Sequence, residues 1–122
     1  MSEQAIEAAN LTKTFSGGKV AVSSLDLGIP KGTVYGLMGR NGSGKSTAIK
    51  LLLGLLKADS GTARILGHEL WAASRPVRSR VGYVAQHPQL PGWMNLRDLG
   101  RYVSHLYATW DQKLFETAAD RW

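Results

Sequence analysis

Nine residues constrain this chain more than any others: Gly39-Arg40-Asn41-Gly42-Ser43-Gly44-Lys45-Ser46-Thr47. They match G-x-x-x-x-G-K-[ST], a pattern in which glycines let the backbone turn tightly enough for successive N–H groups to face one phosphate group. The surroundings agree with that reading. Before the loop, Thr33 to Met38 (TVYGLM) is a short, nearly continuous apolar run bounded by turn residues, which predicts a strand buried on both faces of a parallel sheet. After it, Ile49, Leu52, Leu53 and Leu56 recur at i, i+3, i+4 and i+7 until Asp59-Ser60-Gly61, which predicts an amphipathic helix of about three turns. The positive end of that helix would lie beneath the phosphates. Lys45 is expected to reach the β and γ phosphates, Ser46 to ligate Mg²⁺ through its hydroxyl, and Thr47 to donate near the α-phosphate. The alternative is a glycine-rich turn that fits by chance, and the strand and helix on either side argue against it.

Upstream, Ile6, Ala8 and Leu11 alternate imperfectly, as do Val22, Leu25, Leu27 and Ile29, so residues 4–15 and 20–29 read as two half-exposed strands. Ser16-Gly17-Gly18-Lys19 has the composition of a hairpin turn between them, which predicts an antiparallel start. Downstream, Thr62 to Leu66 and Val81 to Ala85 read as two more short strands, joined by an irregular basic segment from Trp71 to Ser79 with no clear assignment. Pro88 and Pro91 enforce a loop. Asn95 and Asp111 are good helix caps, the first followed by Leu96, Leu99, Val103 and Leu106, the second by Leu114, Phe115, Ala118 and Trp122. A strand-rich part therefore gives way to a helical part at about Gln86, with no internal repeat and no low-complexity segment.

Composition narrows the class. With 43% hydrophobic and 20% charged residues, the 122-residue chain is an ordinary globular sequence able to bury one small core. Its longest apolar stretches fall far short of the ~20 residues that cross a bilayer. The first residues, Met1-Ser2-Glu3-Gln4, have neither the basic nor the apolar region of a secretory signal, and the lack of cysteine removes any disulfide framework, so a cytoplasmic address is expected. A net charge of +6 would suit a nucleic-acid binder, yet the bases are scattered, so nucleic acid is disfavoured as a partner.

At this point the residues resemble a known family, the ATP-binding subunits of ABC transporters, whose loop commonly reads GxNGxGKST. The resemblance covers nearly the whole chain. Leu11-Thr12-Lys13-Thr14-Phe15 looks like the family's A-loop, which implies that Phe15, where tyrosine is more usual, stacks on adenine. Val81-Gly82-Tyr83-Val84-Ala85-Gln86 resembles the strand leading to the family's Q-loop, which implies that Gln86 contacts Mg²⁺ and the attacking water; a carboxamide can do both. The segment from Asn95 resembles the opening of the helical subdomain, and more finely a bacterial group found with small export or peptide-resistance transporters. The implied fold is an α/β P-loop NTPase of ABC type, incomplete here: an antiparallel β portion, a P-loop core over residues 1–86, then the Q-loop and the start of the helical subdomain over 87–122. The implied cofactors are ATP and Mg²⁺. The implied partners are a transmembrane permease subunit and a second ATP-binding subunit, at the cytoplasmic face of the cell membrane.

The sequence also departs from the family. The signature LSGGQ, the Walker B strand ending in Asp-Glu, the D-loop and the switch histidine are not found in these residues. Ser16-Gly17-Gly18 lies before the P-loop and is read as a turn, and His68, His87 and His105 come too early in the family order to be the switch. Without a Walker B carboxylate, the attacking water lacks a general base, so a truncated chain that hydrolyses ATP poorly is expected. Three other readings stay open: an ABC ATPase of translation or DNA repair, a regulatory nucleotide-binding module, and an unrelated P-loop NTPase such as a kinase.

Overall fold

A computed structural model describes residues 3–40, 42–69, 71 and 75–121. The chain divides into two units, Met1–Arg78 and Ser79–Trp122.

The first unit is built on a hairpin. Strands β1 (Gln4–Phe15) and β2 (Lys19–Pro30) run antiparallel from the pair Phe15 and Lys19 to the pair Gln4 and Pro30. Gly17 and Gly18, at φ 90° and 80°, make the turn that joins them, and the Gly18 N–H donates to the Phe15 carbonyl at 3.2 Å. The imperfect alternation in both strands has a structural cause. Asn10 and Ser24 adopt φ 50° and 46°, and the pairing slips between Ala8 and Leu11 and again between Leu11 and Lys13. Each irregularity moves the next apolar residue back to the buried face. Side chains there bond to the main chain: the Asn10 N–H donates to Asp26 Oδ1 at 2.9 Å, and the Ser24 N–H to Thr12 Oγ1 at 3.0 Å.

Strand β3 (Ser60–Ile65) pairs antiparallel with the other edge of β1, giving the order β2-β1-β3. Glu7 faces Arg64 across this ladder, an opposite-charge pair of the kind that favours the register. Helix α1 (Lys45–Leu52) lays Ala48, Leu51 and Leu52 on the sheet. They join Ala8, Leu11, Val22 and Ala63 in one buried cluster, in which Leu11 and Leu51 are fully enclosed. Burial of each of those two leucines contributes roughly 2 kcal/mol. A four-residue turn of helix, α2 (Arg75–Arg78), follows, with Val77 buried.

Four expectations are corrected. Thr33 to Met38 is not a strand: no strand of the three-stranded sheet pairs with it, and Val34 and Met38 are almost fully exposed. A strand exists only through its ladder partners, and apolar character alone cannot supply them. Val81 to Ala85 likewise forms no strand, with no ladder partner among the described residues. Helix α1 runs for eight residues, not three full turns, because Leu53 caps it and Gly54 turns away at φ 71°. Of its expected face, Leu52 is buried and Leu56 packs against the core, while Ile49 lies outside and Leu51 takes the inner position.

The second unit pairs α3 (Leu96–Ser104) with α4 (Gln112–Ala119). Both caps expected from the sequence form: Asn95 Oδ1 accepts from the Asp98 N–H and Asp111 Oδ1 from the Leu114 N–H, each at 2.9 Å. Gly100 is buried against the Phe115 ring, which lies 5.3 Å from the Trp110 ring. Tyr107 donates to the Val81 carbonyl at 3.3 Å, tying Val81 to the end of α3. Leu96, Leu106 and Leu114 stay exposed, and Trp122 lies outside the described residues.

Candidate functional site

The glycine-rich loop leads directly into α1, as its sequence requires. Gly42 and Gly44 hold φ 83° and 93°, conformations that any side chain resists. Gly39 folds back over the loop, where a Cβ would come within 2.6 Å of Ser43 Oγ. The Ser43 N–H donates to the Arg40 carbonyl at 3.1 Å, and Lys45 Nζ donates to the Gly39 carbonyl, drawing the loop into a closed turn.

Gly44 joins this turn to the sheet. Its Cα packs against the Ala21 carbonyl and the Val22 side chain of β2, leaving no room for a Cβ. The register of the hairpin then relates the loop to Phe15. Ala21 stands two residues along β2 from Lys19, the cross-strand partner of Phe15. Strand rise and pairing distances therefore put Phe15 and Gly44 on the order of 10 Å apart.

The electrostatics of α1 differ from those of its fellow helices. Asn95 and Asp111 cap α3 and α4 with side-chain oxygens, whereas α1 starts at Gly44 with no side-chain cap among the described residues and no acidic residue in its first turn. Among the described residues, no side chain accepts from the N–H groups at its start or sets a negative charge against the positive end of the helix dipole. Lys45 adds a full charge beside them. A polyphosphate fits this set of donors, and the Ser46 hydroxyl, exposed on the same first turn, is a hard oxygen ligand of the kind Mg²⁺ takes.

Gly39, Arg40, Gly42, Ser43, Gly44, Lys45, Ser46 and Thr47 thus come together at one end of α1, and Phe15 belongs to the same unit. Asn41 lies outside the described residues. Gln86 falls in the second unit, exposed in a bend after residues 81–85. Two further groups surround Phe15. Lys13 Nζ stands 5.7 Å from the centre of its ring and 3.5 Å from Asp59 Oδ1, while Asp59 Oδ2 accepts from the Thr14 N–H at 2.6 Å. That main-chain hydrogen bond, followed in smaller measure by the Lys13 charge, holds the Asp59 carboxyl below its usual range. Lys13 was legible as the same-face neighbour of Phe15, two residues back on one strand. Asp59, 46 residues from Lys13, carried no local signal.

The family model of the ABC transporter matches residues 22–121, which is most of the chain. The chain belongs to the ABC transporter family. Among curated relatives of this family, the daunorubicin/doxorubicin resistance ATP-binding protein DrrA of Streptomyces peucetius is 41% identical over 109 residues, spanning 86% of this chain and 33% of that protein. The Nod factor export ATP-binding protein I of Sinorhizobium fredii is 42% identical over 105 residues, 83% of this chain and 30% of that one. The ABC family chain described here thus spans about a third of the length of these relatives. A solved ATP-binding subunit of an ABC transporter shares the fold with a TM-score of 0.76, at 24% identity, over 87% of this chain and 44% of that one. Family membership removes the reading as an unrelated P-loop NTPase.

Proposed function

We propose that the chain supplies the nucleotide-binding core of an ABC transporter's ATP-binding subunit, with Mg-ATP as its ligand. The observation that carries this reading is helix α1, which begins within GRNGSGKST at Lys45, on a glycine with no side-chain cap among the described residues. Main-chain N–H groups at Gly44 to Thr47 hold the phosphates, Lys45 neutralises their charge, and Ser46 ligates Mg²⁺. Phe15 stacks on the adenine, which its exposed ring at the end of β1 permits. Gln86 joins the Mg²⁺ and orients water.

By themselves these residues bind nucleotide but turn it over poorly, since none of the site residues is a carboxylate able to act as general base. In the assembled transporter, a second ATP-binding subunit and a membrane permease are the partners, at the cytoplasmic face of the membrane. Export is the direction favoured by the names of the relatives, drug resistance in one case and Nod factor export in the other.

Calorimetric titration of the chain with Mg-ATP, alongside Lys45→Ala, tests the reading. Binding weakened roughly 10-fold or more by the substitution is expected, the effect of losing a charge-assisted hydrogen bond. No binding by a sample whose circular dichroism shows it folded, or equal binding by the variant, would overturn it.

A further inference from the structure

The hairpin turn that follows Phe15 is made of two glycines at positive φ, which offer no side chain to orient a ring that has to meet a base face to face. The structure holds that end of β1 by another means. Asp59, the residue just before β3, uses one carboxylate oxygen to accept from the Thr14 N–H and the other to engage Lys13 Nζ, while its own N–H donates to the Thr12 carbonyl at 2.9 Å. Residues 12–14 are thereby clamped on both sides of Lys13. The lysine side chain is only 20% exposed, and its ammonium is directed over the Phe15 ring. A cation at this distance attracts the ring's electron density and fixes the ring's plane.

We propose that Lys13 and Asp59 are positioning residues for the nucleobase: Asp59 orients Lys13, Lys13 occupies one face of Phe15, and the opposite face is left as the stacking platform for a purine. This rests on the reading of Phe15 as the base-stacking residue of the nucleotide site. The ammonium does more than fill space. By drawing density from the ring, it favours an electron-rich partner on the free face, and adenine is a large, electron-rich one.

The test separates base from phosphates. The full chain and its Asp59→Asn, Lys13→Met, Lys13→Arg and Phe15→Ala variants are titrated with Mg-ATP and with Mg-tripolyphosphate, which lacks the base. Asparagine keeps an acceptor for the Thr14 N–H, so this variant preserves the strand while losing the charge. Lys13→Met and Asp59→Asn are expected to weaken ATP binding about 3-fold, the scale of an exposed cation–π contact, with tripolyphosphate unchanged and Lys13→Arg near the parent. In the Phe15→Ala background, neither substitution should weaken ATP binding further. Equal weakening of both ligands would show a merely structural role and overturn the proposal, as would unchanged ATP binding in both variants. Should the parent bind tripolyphosphate and ATP equally, and Phe15→Ala change neither, the platform falls while the phosphate loop stands. Should the parent bind neither ligand, the nucleotide reading itself falls and takes this inference with it.

Discussion

Gly44 rests its Cα against the carbonyl oxygen of Ala21, so closely that a methyl group there would strike the backbone of β2. The phosphate loop is therefore seated on the hairpin through a residue that has no side chain. Gly44→Ala should be doubly harmful, because φ at 93° is strained for alanine and the collision pushes the start of α1 off the sheet. A loss of about 2 kcal/mol or more in urea unfolding is expected, together with loss of Mg-ATP binding. Gly42 makes the comparison: it also has positive φ, but open space around its Cα, so Gly42→Ala should cost only about 1 kcal/mol. Equal losses for the two would contradict this account of the seat.

The face of α1 is open to a similar comparison. Leu51 is fully buried against the sheet, while Ile49 is 38% exposed. Truncation of Leu51 to alanine should cost about 2–5 kcal/mol, and truncation of Ile49 under about 1 kcal/mol. Were Ile49→Ala the more damaging in chemical denaturation, the sequence stripe rather than the observed one would describe the helix.

Asp59 makes stability depend on pH in a defined sense. Its carboxyl titrates lower in the folded chain than in an unfolded one, first because of the Thr14 N–H and then because of Lys13. The folded state thus prefers the charged form. Its contribution is full above the unfolded value near ~4 and is lost as pH falls through the lower, folded value. The difference in unfolding midpoint between the parent and Asp59→Asn should be largest at neutral pH and shrink on acidification below about pH 4. A difference that grows with acid would have the sign wrong.

Asn95→Ala and Asp111→Ala should each cost about 1 kcal/mol, since each removes the acceptor for a first-turn N–H. Circular dichroism through a thermal melt would register the loss, and unchanged melting in both variants would mean that water serves these donors as well.

What could be read from the sequence was what neighbours decide. The Gly17-Gly18 turn and the caps at Asn95 and Asp111 each depend on a few adjacent residues and formed as expected, and Gly42 and Gly44 take the positive φ for which glycine is suited. Strand character at Thr33 to Met38 and Val81 to Ala85 depends on a partner elsewhere, so their apolar composition misled. On α1, Leu52 was placed inward rightly, but Leu51 was missed and Ile49 misplaced because the sheet beneath the helix, not the helix, decides which side chain turns inward. Asn10 and Ser24 explain why the strands alternate imperfectly, yet nothing in either residue's immediate neighbours announces a positive φ. The Asp59 clamp joins positions 46 residues apart and is visible only once β3 has been laid beside β1.

The order β2-β1-β3 also sets a timetable during synthesis. The hairpin is complete once Pro30 has left the ribosome, and such a unit closes within microseconds. The central strand nevertheless waits with one side bare until residues 60–65 emerge, which at typical elongation rates takes about two to six seconds. In that interval the newborn chain presents a free β-edge to any passing strand or chaperone, and Gly61, pressed against the Asn10 carbonyl, is the residue whose arrival shuts the window.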